Sequence, residues 1–125
     1  MITIQEYLMG RQLEYPLTIE LALNACELLA GVNYLRGVYG RPLVPSSGYR
    51  PGHYNKKAGG AKQSSHLSCE AIDIRDPLGE FAKWCLSHLK ELERAGLYLE
   101  DPSRTKGWTH LQTRPPQSGR RVFSP

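Results

Sequence analysis

Residues 64–73 read S-S-H-L-S-C-E-A-I-D, and the rest of the chain is organised around them. They hold a histidine, His66, and an aspartate, Asp73, seven positions apart. Both side-chain types bind zinc, each at roughly 2.0–2.2 Å, so donors sharing one ion lie only about 3–4 Å from each other. Seven residues of straight strand would span about 23 Å, at roughly 3.3 Å each. A shared ion therefore requires the chain to fold back between the two. Leu67-Ser68-Cys69-Glu70 supplies the reversal, and Ala71-Ile72-Asp73-Ile74 reads as a short strand after it. Alternation along that strand sends Ile72 and Ile74 into a core and turns Asp73 towards a cleft. Spacing alone leaves a plainer reading open, an exposed loop histidine and a turn aspartate.

Upstream, Thr3-Ile4-Gln5-Glu6 fits a capping box and opens a short helix that ends near Met9 and Gly10. Pro16-Leu17-Thr18 opens a longer one, with Leu21, Ala25, Leu28, Val32, Leu35 and Tyr39 as one apolar stripe. Gly31 inside that stripe costs up to about 1 kcal/mol against alanine, which a close packing contact would explain. Cys26, beside the stripe, reads as a small buried residue. Arg41-Pro42-Leu43-Val44 reads as a strand and Pro45-Ser46-Ser47-Gly48 as a turn. Residues 53–63 read as a long polar loop, the kind that carries function in compact domains, with His53 in solvent.

Downstream, Asp76-Pro77 reads as a helix start, and one helix carries Phe81, Trp84, Cys85, His88, Leu89 and Leu92 on a single face as far as Gly96. His88 and Glu91 have the H-x-x-E spacing of some zinc sites, but His88 lies on the apolar stripe and Glu91 off it, so a boundary histidine is the preferred reading. Leu97-Tyr98-Leu99-Glu100 and Trp108-Thr109-His110-Leu111-Gln112 read as paired strands, with Trp108, His110 and Gln112 on one face. The proline-rich tail from Thr113 is extended and wraps the domain through Val122 and Phe123.

The chain has 125 residues, 40% hydrophobic and 22% charged, which suits one soluble domain over 1–125 with one core. No stretch approaches the roughly 18 apolar residues of a membrane span. The first residues lack the basic-then-apolar pattern of a secretory signal. The three cysteines form no C-x-x-C pair, which argues against a disulfide framework and a cysteine-rich zinc knuckle. A net charge of +4 suits an anionic polymer, but without a five-residue basic run nucleic acid is not the expected partner.

Ser47-Gly48-Tyr49-Arg50, Ser64-x-His66, Ala71-x-Asp73 and Trp108-Thr109-His110 together resemble the zinc D-alanyl-D-alanine carboxypeptidase family. That family includes phage and bacterial peptidoglycan peptidases cutting D-Ala-D-Ala or L-Ala-D-Glu bonds, and it shares its fold with the Hedgehog signalling domain. Its pattern is S-G-Y-R, then S-x-H-x-x-G-x-A-x-D, then W-x-H, and the resemblance covers about residues 17–125. It implies an α+β fold, a small antiparallel sheet with helices packed on it. It implies Zn2+ held by His66, Asp73 and His110, with a position left open for a metal-activated water. Arg50 would serve the carbonyl oxygen or the oxyanion, and Ser64 would orient the loop or a ligand. The implied substrate is a peptidoglycan stem peptide; the chain itself is expected to be a monomer. Localisation follows from the same resemblance: a product made in the cytoplasm without a signal peptide and acting on the cell wall, as a phage or prophage product would.

Two positions depart from the pattern. Where much of the family has a glutamate three residues before the last histidine, this chain has Gly107. Glu100 is the first choice for the general base and Asp101 the second. Where the family has glycine, this chain has Cys69, which is unusual if the turn needs a positive φ and which would close the site if it were a fourth ligand. Gly107 also keeps open an inactive zinc-containing cell-wall-binding or structural module of the same fold.

Overall fold

The computed structural model describes residues 1–59 and 64–125. Its centre is a five-stranded sheet of β1 (Pro45–Ser47), β2 (Ala71–Asp76), β3 (Tyr98–Glu100), β4 (Gly107–Gln112) and β5 (Val122–Phe123). The strands lie in the order β1-β2-β4-β3-β5. The pairs β1–β2, β2–β4 and β3–β4 are antiparallel, and β5 runs parallel to β3. The fold is α+β, but the sheet is mixed rather than antiparallel throughout. The proline-rich tail leaves β4, crosses to the far side of β3 and then runs alongside it. The Leu99 N–H donates to the Arg121 carbonyl (2.8 Å) and the Asp101 N–H to the Phe123 carbonyl (2.7 Å).

Among the described residues five α-helices surround the sheet: α1 (Ile4–Leu8), α2 (Ile19–Tyr39), α3 (His53–Lys57), α4 (Glu80–Ser87) and α5 (Leu89–Ala95). Thr3 and Glu6 cap α1 reciprocally, and Thr18 caps α2 through its side chain. The α2 stripe buries Ala25, Leu28, Leu29, Val32 and Leu35 against α5 and the core face of the sheet. Cys26 is exposed, not buried. One residue is about 100° of helix, so Cys26 lies past the edge of the face that Ala25 occupies.

Other local expectations shift. The first strand is Pro45–Ser47 rather than residues 41–44, because Val44 contributes only its carbonyl to Arg75 (2.8 Å) while its side chain stays exposed. Residues 53–57 form the short helix α3 instead of loop; residues 60–63 lie outside the described residues. Asp76 ends β2 and does not sit at the first turn of α4. It nonetheless caps that helix across a turn, accepting the Phe81 N–H (3.2 Å) and the Ala82 N–H (2.9 Å), with the Thr109 hydroxyl at 2.8 Å.

The expected single helix after Asp76 is two helices. His88 leaves helical geometry between them (φ −132°, ψ 44°) and donates Nδ1–H to the Trp84 carbonyl (2.7 Å), its ring stacked on Trp84. His88 is a half-buried boundary residue, and Glu91 is taken up by the Tyr34 hydroxyl (2.6 Å) and Arg94. No helix among the described residues is long and apolar enough to cross a membrane.

Gly31 lies where α2 packs tightly on the end of α5. A Cβ there would stand 2.5 Å from the Ala95 carbonyl oxygen, a backbone atom that cannot swing away. Gly31→Ala gains up to about 1 kcal/mol of helix propensity, but overpacking of this kind costs about 1–3 kcal/mol. Urea unfolding is expected to show a net loss of stability. An unchanged or raised midpoint would mean that α2 moves off α5 at no cost.

Candidate metal centre

The reversal between His66 and Asp73 is a compact turn. The Leu67 N–H donates to the Ser64 carbonyl (3.0 Å) and the Glu70 N–H to the Ser65 carbonyl (2.8 Å). Asn24 of α2 holds it from outside, donating to the Ser68 carbonyl (3.0 Å). Cys69 sits in it at φ +59°, fully buried, in the left-handed region that glycine adopts without strain. Burial pushes the Cys69 thiol up to about 12. Its sulfur is not among the clustered donors, and on that geometry Cys69 is not a fourth ligand.

After the turn, β2 pairs with β4 so that Asp73 lies directly opposite His110. Asp73 Oδ1 is 2.8 Å from His110 Nδ1 and 3.4 Å from His66 Nε2. One donor atom from each of these three residues lies within 4.8 Å of the others, the sole such group among the described residues. All three side chains are largely buried.

The far nitrogen of each imidazole is already committed. His66 Nδ1 faces the Gly48 carbonyl at 2.8 Å. A carbonyl only accepts, so that nitrogen carries the proton and Nε2 is bare towards Asp73. His110 Nε2 lies 2.8 Å from Gln112 Oε1, and a neutral ring that donates there leaves Nδ1 bare on the same side, 2.8 Å from Asp73 Oδ1. With both rings neutral and donating to those carbonyls, two lone pairs and a carboxylate converge with no hydrogen between them, an arrangement that calls for a cation. In its absence a proton is the substitute. Burial opposes the charged ring of His110, but the Asp73 hydrogen bond and charge outweigh it and raise its pKa. Burial would lift the Asp73 carboxyl, yet hydrogen bonds from His110 and His66 hold it well below the usual range. The donor set, two neutral imidazoles and one carboxylate, fits a divalent metal with open coordination positions.

The cluster opens into a cleft of about 610 Å³, which Arg50, Ser64 and Glu100 also line. Arg50 donates to Ser64 Oγ at 3.5 Å, while its buried Nε–H has no partner among the described residues. Burial lowers the Arg50 pKa from its ordinary value. Ser64 Oγ also accepts the His66 N–H (3.2 Å), and the Arg50 N–H donates to the His66 carbonyl (3.1 Å). The β3–β4 register sets Tyr98 opposite Gln112 and Leu99 opposite Leu111, and Glu100, the next residue, shares the cleft with His110. Burial raises the Glu100 carboxyl, with His110 working against it.

Asp101 is not in this cleft; its carboxylate accepts the Ser103 N–H (3.0 Å) and caps a 3-10 turn, which holds its pKa down. Gly107 belongs to β4 with φ +99°, and its odd separation from His110 turns it to the other face of the strand.

Sequence reasoning missed two groups. Gln112 is visible by alternation as a residue on the His110 face, but alternation gives it no task. The Gly48 carbonyl has no sequence signal as an acceptor. Its position depends on glycine, because a Cβ at residue 48 would stand 2.1 Å from the Tyr7 carbonyl oxygen.

A family model described as Peptidase M15 matches residues 5–112. No curated protein and no solved structure matches the chain. The tail after residue 112 lies outside the match, yet Pro115, Pro116 and Gln117 form part of the cleft wall.

Titration of metal-free protein with zinc is expected to show about one equivalent bound per chain. His66→Ala should lose most of that binding. Full retention by the mutant, read by elemental analysis after dialysis, would refute the cluster as the site.

Proposed function

The chain belongs to the Peptidase M15 family of metal-dependent peptidases, and we propose that it is a zinc peptidase acting on the stem peptides of peptidoglycan. The convergence of bare His66 Nε2, bare His110 Nδ1 and the Asp73 carboxylate at the floor of an open cleft carries the reading. These three residues would hold the zinc. Bound there, zinc would supply Lewis acidity, polarising a carbonyl and making water a nucleophile near neutral pH.

The chain's own side chains divide the remaining work. Glu100 takes a proton from the attacking water and passes it to the leaving amine. Its pKa, raised by burial, makes it a stronger base than a solvated carboxylate. Arg50 offers a fixed positive charge and an unsatisfied Nε–H to the oxyanion that forms as the water adds. Ser64 holds both Arg50 and the backbone of His66, so the cation and one metal ligand move together. The open cleft suits an extended peptide, and its wall of Pro115, Pro116 and Gln117 is neutral.

Zinc-loaded protein incubated with purified peptidoglycan is expected to release new amino termini, with mass spectrometry of the fragments naming the bond. A zinc-loaded protein that cleaves neither peptidoglycan nor its soluble fragments would favour the alternative, an inactive module of the same fold.

Arg50→Ala should keep zinc and thermal stability near wild type, because among the described residues its guanidinium makes one long hydrogen bond, to Ser64. Turnover should fall roughly 100- to 1000-fold, the loss seen on removing one oxyanion donor. Unchanged turnover would reduce Arg50 to a wall residue.

Glu100→Gln should keep zinc and fold and lose roughly 100-fold or more in turnover. Asp101→Asn should change little, since Asp101 caps a turn outside the cleft. The reverse pattern would place the base on Asp101.

A further inference from the structure

We propose that Gln112 is a positioning residue that holds the His110 ring in the tautomer with Nδ1 bare, and so sets the metal affinity of the cluster. This rests on the metal reading above but assigns a residue that the reading does not use.

Gln112 ends β4, is 7% exposed, and lies two residues beyond His110 on the same face of the strand. Both ends of its amide are occupied. Nε2 donates to the Arg114 carbonyl (2.7 Å), and Oε1 lies 2.8 Å from His110 Nε2. A carbonyl cannot donate, so the amide NH2 must face Arg114 and its oxygen must face the imidazole. A bare Nε2 would then set lone pair against lone pair at hydrogen-bond distance. Gln112 therefore draws the His110 proton to Nε2, in competition with Asp73 Oδ1, which lies 2.8 Å from Nδ1.

The carbonyl that orients the amide is itself pinned. The Arg114 guanidinium donates to Ser68 Oγ (2.8 Å) and Glu70 Oε1 (3.1 Å), and the Thr113 N–H donates to the Glu70 carbonyl (2.9 Å). Ser68 and Glu70 belong to the same reversal that separates His66 from Asp73. That one turn thus separates the first two donors and, through Arg114 and Gln112, orients the third.

A merely structural Gln112 would satisfy buried groups without affecting metal. Calorimetric zinc titrations of Gln112→Leu and Gln112→Glu separate the cases. Gln112→Leu removes the acceptor and is expected to weaken zinc about 10- to 100-fold, the usual effect of losing an outer-shell partner, while Gln112→Glu keeps an acceptor oxygen for Nε2–H, loses only the donor to the Arg114 carbonyl, and is expected to lose clearly less. Wild-type affinity in Gln112→Leu, or equal losses in both variants, would overturn the proposal.

Nitrogen NMR of the metal-free wild-type protein, at a pH where the ring is neutral, gives an independent reading. A proton on His110 Nε2 supports the assignment and a proton on Nδ1 overturns it, even if Gln112→Leu fails to fold. A wild-type chain that binds no zinc would sink the metal reading, and the same spectrum would still decide the Gln112 pairing.

Discussion

The β2–β4 ladder sets Asp73 opposite His110, and the site depends on that register. Directly opposed residues of an antiparallel pair have Cβ atoms about 4.5–5.5 Å apart, close enough for side chains to share an ion or a proton. A slip of one residue would turn every side chain of the strand to the other face. What prevents it is the core side of the sheet. Ile72, Ile74, Leu99 and Leu111 are fully buried there, each burial contributing about 1.5–3 kcal/mol. Thr109 and Asp76, on that same core face, are locked to each other and to the start of α4. The hydrophobic effect thus holds the register, and the register holds the donors.

The polar face carries the opposite problem. A carboxylate as buried as Asp73 is costly unless opposite charge or hydrogen bonds compensate it. The His66 and His110 rings compensate it in part, and their committed far nitrogens direct the lone pairs inward. Arg50 adds a cation with an unsatisfied N–H, and Glu100 adds a carboxyl raised by burial. The result is a cleft of one sign at its floor and mixed sign at its rim, which suits cation binding below and polarised chemistry above.

The reversal before β2 is the strained part of this arrangement. Cys69 holds a left-handed conformation, of a kind that costs a non-glycine residue about 1–3 kcal/mol. Its thiol is fully buried beside Tyr7, whose hydroxyl donates to the Ala71 carbonyl (2.9 Å), and desolvation keeps both groups neutral. Packing of the sulfur offsets part of the strain. Tyr7 also receives the Tyr49 N–H (3.3 Å) and closes against Gly48, so α1, the S-G-Y-R segment and the turn form one support beneath His66.

Local chemistry made much of this legible from the chain itself. The capping box at Thr3, the apolar stripe of α2, the close contact at Gly31, the reversal after His66 and the pairing of residues 97–100 with 108–112 all follow from spacing and residue type. Apart from the partner that Gly31 meets, these are short-range signals, in which neighbours in sequence are neighbours in space. Misplaced features depended on distant partners. Cys26 faces solvent because α2 presents only one side to α5. Asp76 caps α4 from the end of a strand, and β5 joins the sheet parallel because the tail has β3 to lie against. The site divides the same way. Its histidines, aspartate, arginine and glutamate could be chosen by type and motif. The tautomer of each histidine could not, because it is set by a carbonyl 18 residues from His66 and by an amide whose own orientation depends on the Arg114 carbonyl. A sequence states which atoms are able to donate or accept, and only the tertiary structure decides which of them meet.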